Sequence, residues 1–334
     1  MSAIVVPLLT LALIAVAAER THIQPRFRPG ETLYYQIETH TASTGKTTTP
    51  IINPEGGTKF SEDVDLLARL DVLPEGNSTG GAKSQQGGEQ APVNMRVTYE
   101  RAHADSQADA PAFDAPSAAR EYDRLAGHSF EFTLGPGGAI TNLKDIDNTL
   151  QNAEGAAPAA LSWMRMLETS NTFPQRGISV GQRWTGESPL DGAPLAGLVW
   201  HADSTYLRDE PCKAPAAENA ATSGAARHAG QCAVIITQFE ILHHGSSHAD
   251  QTPPDYVRHG LRTTGTLTGT GESLDSISLS SGVLVSSTQT STQRADFDII
   301  DAANGAKIHR DGQVQTQTVI TRVAAPPAPA VAQP

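Results

Sequence analysis

Apolar and polar residues alternate along nine separate stretches of this chain, and a period of two confines it to a β-rich fold. Thr32–Thr39 sets Leu33, Tyr35 and Ile37 against Tyr34, Gln36 and Glu38. The same pattern recurs at Asp63–Leu73, Val93–Arg101, Ser129–Leu134, Gly197–Leu207, Ala233–Leu242, Gly260–Thr270, Val283–Thr292 and Val314–Val323. The later stretches are rich in Thr and Ser, as in Thr263-Thr264-Gly265-Thr266-Leu267-Thr268. Threonine suits a pleated surface with one wet face, because its branched Cβ packs while its hydroxyl meets water.

Between these strands, 41–58, 74–92, 104–119, 212–232 and 244–255 are filled with Pro, Gly, Gln, Ser and Asp, and read as long polar loops. The terminal 324–334 (AAPPAPAVAQP) reads as a disordered Ala/Pro tail. One helix is expected, over Pro158–Glu168 (PAALSWMRMLE), with Pro in its first turn and Leu161, Trp163, Met164, Met166 and Leu167 covering most of its circumference. Such a helix packs against the sheet, and Trp163, Met164 and Met166 are the candidate lining of an apolar ligand site.

Two markers suggest an internal duplication. Phe27–Glu31 precedes the aromatic pair Tyr34-Tyr35, as Ile178–Gln182 precedes Trp184; Leu134–Ile140 corresponds to Leu279–Leu284. The two Gly turns lie at nearly equal offsets, which points to two related halves at 25–145 and 176–323, joined by a helical connector at 146–175. Gly181-Gln182-Arg183-Trp184 and the hairpin at Pro136–Ile140 resemble turns that recur in uncharacterised secreted bacterial β-rich proteins. Some of those are similar to the half-barrel sheets of periplasmic lipoprotein carriers. The resemblance implies a mainly β fold, with two related antiparallel sheets or one curved half-barrel-like sheet; it assigns no functional residue.

The first eighteen residues carry no charged side chain, and an apolar run from Ile4 ends in Ala15-Val16-Ala17-Ala18. That is the h-region and A-x-A site of a secretory signal, too short for a stable transmembrane anchor. Its n-region lacks Lys and Arg, and a start codon further upstream would explain that. Export to the periplasm or beyond gives Cys212 and Cys232 an oxidising compartment, where an isolated pair forms a disulfide. A formal charge of −12 and the absence of any basic run argue against nucleic acid as a partner and against polybasic attachment to anionic membranes.

Catalytic signals are sparse. Gly177-Ile178-Ser179-Val180-Gly181 spells the G-x-S-x-G nucleophile elbow. That elbow needs a strand before it and a helix after it, whereas Gly186 and Pro189 follow here. His243, His244 and His248 form the densest group of metal-competent side chains, but Gly245-Ser246-Ser247 opposes the helix that would align them. Gly265, Gly269 and Gly271 lack dinucleotide-binding spacing and read as bulges or loose strand ends. No cofactor motif is present. The sequence therefore points to an exported, non-enzymatic binding protein for a lipid, another apolar or amphipathic molecule, or an envelope protein. The alternatives are a structural or adhesive surface protein and, behind it, a serine hydrolase or metal protein.

Overall fold

A computed structural model describes residues 20–49, 57–74, 92–109, 120–135, 140–145, 163–164, 173–174, 176–190, 192–213, 230–245 and 251–326. Eleven strands dominate them: β1 (Thr32–Thr48), β2 (Thr58–Val72), β3 (Val93–Ala108), β4 (Ser129–Leu134), β5 (Ile140–Asp145), β6 (Arg183–Pro189), β7 (Leu198–Pro211), β8 (Gln231–His243), β9 (Leu261–Ser278), β10 (Leu284–Asp301) and β11 (Lys307–Val323). A five-residue helix, α1 (Pro254–Arg258), lies between β8 and β9. The strands form one antiparallel sheet, ordered β5-β4-β3-β2-β1-β11-β10-β9-β8-β7-β6. Of the two arrangements the sequence allows, the single sheet is the one formed, and it is not closed into a barrel.

All nine expected strands are present, but several run further than their apolar pattern. β1 continues through Thr41–Thr48, and β3 through Ala104–Ala108, into segments that read as loops. Backbone pairing explains the extension. Fifteen consecutive residues of β1, Tyr34–Thr48, pair with β11, and Thr32–Gly45 pair with β2 on the other side, so backbone hydrogen bonds carry the strand on whatever the side chain. Of the expected helix at 158–168, only Trp163 and Met164 are described, in a short 3₁₀ turn; Met166 and the rest lie outside the described residues, as do the signal segment and most of the terminal tail.

The turns that open β1 and β6 make matching hydrogen bonds. Gly30 N–H donates to Val72 C=O at 2.8 Å and Gly181 N–H to Tyr206 C=O at 2.6 Å. The side chains of Glu31 and Gln182 each accept from the backbone N–H three residues earlier, at 3.0 and 3.2 Å. Both glycines sit at positive φ, +80° and +84°, where a Cβ would be strained.

One face of the sheet carries the core. Its main cluster draws on β1–β4 and β7–β11, including Tyr35, Leu66, Met95, Phe132, Ile235 and Ile320. Trp163, Met164 and Ile178 complete it, and Thr21 pairs with Ile178 as an isolated bridge. The opposite face is polar where β2–β4 display ion pairs: Arg69 with Asp71 and Glu100, Arg96 with Glu131, Arg101 with Asp65.

Candidate functional site

Opposite residues on antiparallel strands share a face, so the register reads the core face row by row. One row runs Ile37, Ile320, Ser287, Asp275, Ile235, Tyr206 across β1, β11, β10, β9, β8 and β7. The next runs Thr39, Thr318, Gln289, Ser273, Thr237, Ser204 across the same six strands. This belt of hydroxyls and an amide is partly self-bonded: Thr39 with Thr318 at 3.3 Å and Ser204 with Thr237 at 2.9 Å. Four of its six members, Thr39, Thr318, Gln289 and Thr237, keep part of their surface open, while Ser273 is 8% exposed and Ser204 6%. Beyond the belt, on the same face, comes a second apolar cluster of Leu195, Leu198, Ile241 and Phe297, with Trp200, Leu267 and Ile299 against it. Apolar, polar and apolar zones thus follow one another along the strands.

The glycines of β9 shape this surface. A Cβ at Gly271 would lie 2.3 Å from Phe239 Cε2, and one at Gly269 would lie 2.7 Å from Ile241 Cδ1. Their lack of side chains lets the two β8 residues lie flat over the neighbouring strand, and Phe239 meets Trp200 edge-on at 5.2 Å between ring centroids. The register of β9 with β10 is unbroken from Leu261 to Ser276, so close packing, rather than a bulge or a loose end, accounts for these positions.

Four buried tyrosines act as neutral anchors. Tyr35 donates to the Leu284 carbonyl at 3.1 Å, and Trp163 Nε1 donates to the Tyr99 hydroxyl at 3.2 Å. Tyr122 donates to Glu62 at 3.2 Å, and Tyr206 to Asp209. Burial pushes all four hydroxyls above the ordinary phenol range. Trp163 packs against Tyr35 with tilted rings, their centroids 5.9 Å apart, and Trp163 and Met164 are both nearly fully buried in the core. The indole N–H of Trp184, which pairs across to Ser204 at the end of the belt, has no acceptor among the described residues.

Asp275 was not legible as a site residue. Its Oδ1 accepts from Ser287 Oγ at 2.5 Å and its Oδ2 from Ser273 Oγ at 2.9 Å. Burial raises its pKa above the usual carboxylate range, and the two serine hydrogen bonds oppose that shift. Glu62, in the row beyond the belt, is held similarly by hydroxyls, from Ser106 at 3.1 Å and Tyr122.

The residues around Ser179 do not make an elbow. They turn directly into β6, and the Ser179 hydroxyl faces Gln182 Oε1 at 3.5 Å. His243 ends β8 and is exposed, while His244 Nε2 lies 3.1 Å from Glu187, whose other oxygen meets His201 Nδ1 at 3.2 Å. Hydrogen bonds from His201, then His244, hold the Glu187 carboxyl below its usual range. His248 lies outside the described residues. Among the described residues, no three His, Cys, Asp or Glu side chains converge as a metal site would require. Cys212 and Cys232 form a disulfide that ties the end of β7 to the start of β8.

No protein-family model matches the chain, and no curated protein is significantly similar to it. Among solved structures, the outer membrane protein OprG from Pseudomonas aeruginosa is 7% identical, covering 89% of this chain and 98% of its own, with a TM-score of 0.18. OccK11 (OpdR) from the same organism is 8% identical, covering 90% and 100%, with a TM-score of 0.19. At such scores the strands do not superpose as a common fold, and the likeness carries no functional argument.

Proposed function

We propose that this is a non-enzymatic binding protein that takes an amphipathic molecule on the core face of its sheet. The observation that carries the reading is the banding of that face: a Thr/Ser/Gln row in direct register across six strands, with an apolar cluster on either side. A folded chain with no ligand gains little from a hydroxyl belt through the middle of its core face, because each buried hydroxyl costs free energy unless fully bonded. A ligand with both apolar and polar parts fits both zones at once. Trp163 and Met164 back the site at one end, and Trp200 and Phe239 border it at the other. The apolar N-terminal leader in the sequence, together with the disulfide, supports an exported location.

The test is extraction of the purified full chain with chloroform–methanol, followed by mass spectrometry, alongside titration of tryptophan fluorescence with dodecyl maltoside. A recurrent long-chain species and saturable binding are expected. Neither appearing across independent preparations would overturn the reading.

A further inference from the structure

Asp275 carries a charge question that the binding reading leaves open. Its row on the core face is otherwise built from Ile37, Ile320, Ser287, Ile235 and Tyr206, and the belt begins one row away. Two serines fix its two oxygens separately and leave the outward lone pairs unused. Among the described residues, no Lys, Arg or His pairs with it. The two arginines that the register places on this face stand elsewhere: Arg322 opposite Tyr35, and Arg310 opposite Thr47 near the far end. Another core-face carboxylate, Glu62, is likewise met by hydroxyls. The interior of the face thus offers negative charge beside apolar surface.

We propose that Asp275 receives the cationic head of an amine-bearing amphiphile, whose chain lies along the flanking apolar cluster. The inference rests on the binding reading above and names the head-group class within it. An ammonium group supplies what the carboxylate lacks: an opposite charge at short range beside a half-buried carboxylate, with N–H donors for the open lone pairs. A neutral or anionic head gains nothing comparable. The charge cost of burying Asp275 is one that a protein holds where function repays it.

The test uses three probes with the same chain, below their critical micelle concentrations: dodecylamine, dodecyl maltoside and dodecanoate. Each is titrated against the full-length protein, Asp275→Asn and Asp296→Asn by calorimetry. Asparagine keeps a partner for each serine, while Asp296 lies on the outer face, opposite Thr266 and Asp311, and reports attraction to the overall −12 charge. Wild type and Asp296→Asn are expected to bind dodecylamine at least tenfold more tightly than the other two probes. Asp275→Asn is expected to lose that preference while binding dodecyl maltoside unchanged. Equal affinity of wild type for all three probes, or an undiminished preference in Asp275→Asn, overturns the head-group assignment and leaves the binding reading standing. If no probe binds any of the three proteins, both fall.

Discussion

At the scale of single residues, Asp275 sets stability against charge. Burial opposes its ionisation, so the folded protein holds the proton more tightly than the unfolded chain does. The resulting penalty is absent below the unfolded value of about 3.9, grows as pH rises through the raised native value, and is constant above it. Asp275→Asn removes the penalty. It should raise Tm at pH 7 by on the order of 2 °C, with the gain shrinking toward zero near pH 4, as read by scanning calorimetry. A gain that is independent of pH would show that shape rather than charge is responsible. Nothing in Ser273-Leu274-Asp275-Ser276 sets this aspartate apart from the other acids of the chain, because its isolation comes from Ile235 and Ser287, which only the register brings alongside. The histidines show the other side of this. His243 and His244 are conspicuous as neighbours in sequence, but His244 is drawn to Glu187 on β6, some 57 positions away.

Elements tell a similar story about what pattern reading can reach. Strands whose two faces differ in polarity, such as Leu33–Ile37 and Phe130–Leu134, were legible because burial is on one side only. β5 and β6 were missed: Ile140–Asp145 and Arg183–Pro189 are short and mostly polar, and each pairs on one side as a sheet edge. The glycines of β9 were legible as unusual, but their purpose depends on the ring of a neighbouring strand. Gly271→Ala forces a Cβ against Phe239 and should cost about 1–3 kcal/mol in urea unfolding. Phe239→Ala, which destabilises on its own, should recover part of that loss when combined with it; additive effects would mean the two do not touch. The disulfide acts between elements as well. Its cysteines are 20 positions apart, and replacing both with serine should cost about 3 kcal/mol, seen as a lower urea midpoint that reductant reproduces in the unmodified protein.

For the whole molecule, the decisive feature is the pairing of β1 with β11, which makes one sheet of two runs of consecutive strands. The main core cluster crosses that seam, drawing on Ile37 and Leu66 on one side and Ile235 and Ile277 on the other. Variants that retain only Trp163 or only Trp200 should therefore unfold at the same denaturant concentration. Two separate midpoints would show that the runs are energetically independent. The seam also sets the order in which the chain is completed. β1 is made early, yet one of its sides has no partner until the last strand has been synthesised. In an exported chain that gap runs from the emergence of β1 to the emergence of β11 on the far side of the membrane. Throughout it, a row of open backbone groups invites contact with any other extended strand. Completion of β11 is therefore a checkpoint: a chain that stops one strand short leaves raw edges on both β1 and β10, and its own unpaired backbone marks it as unfinished.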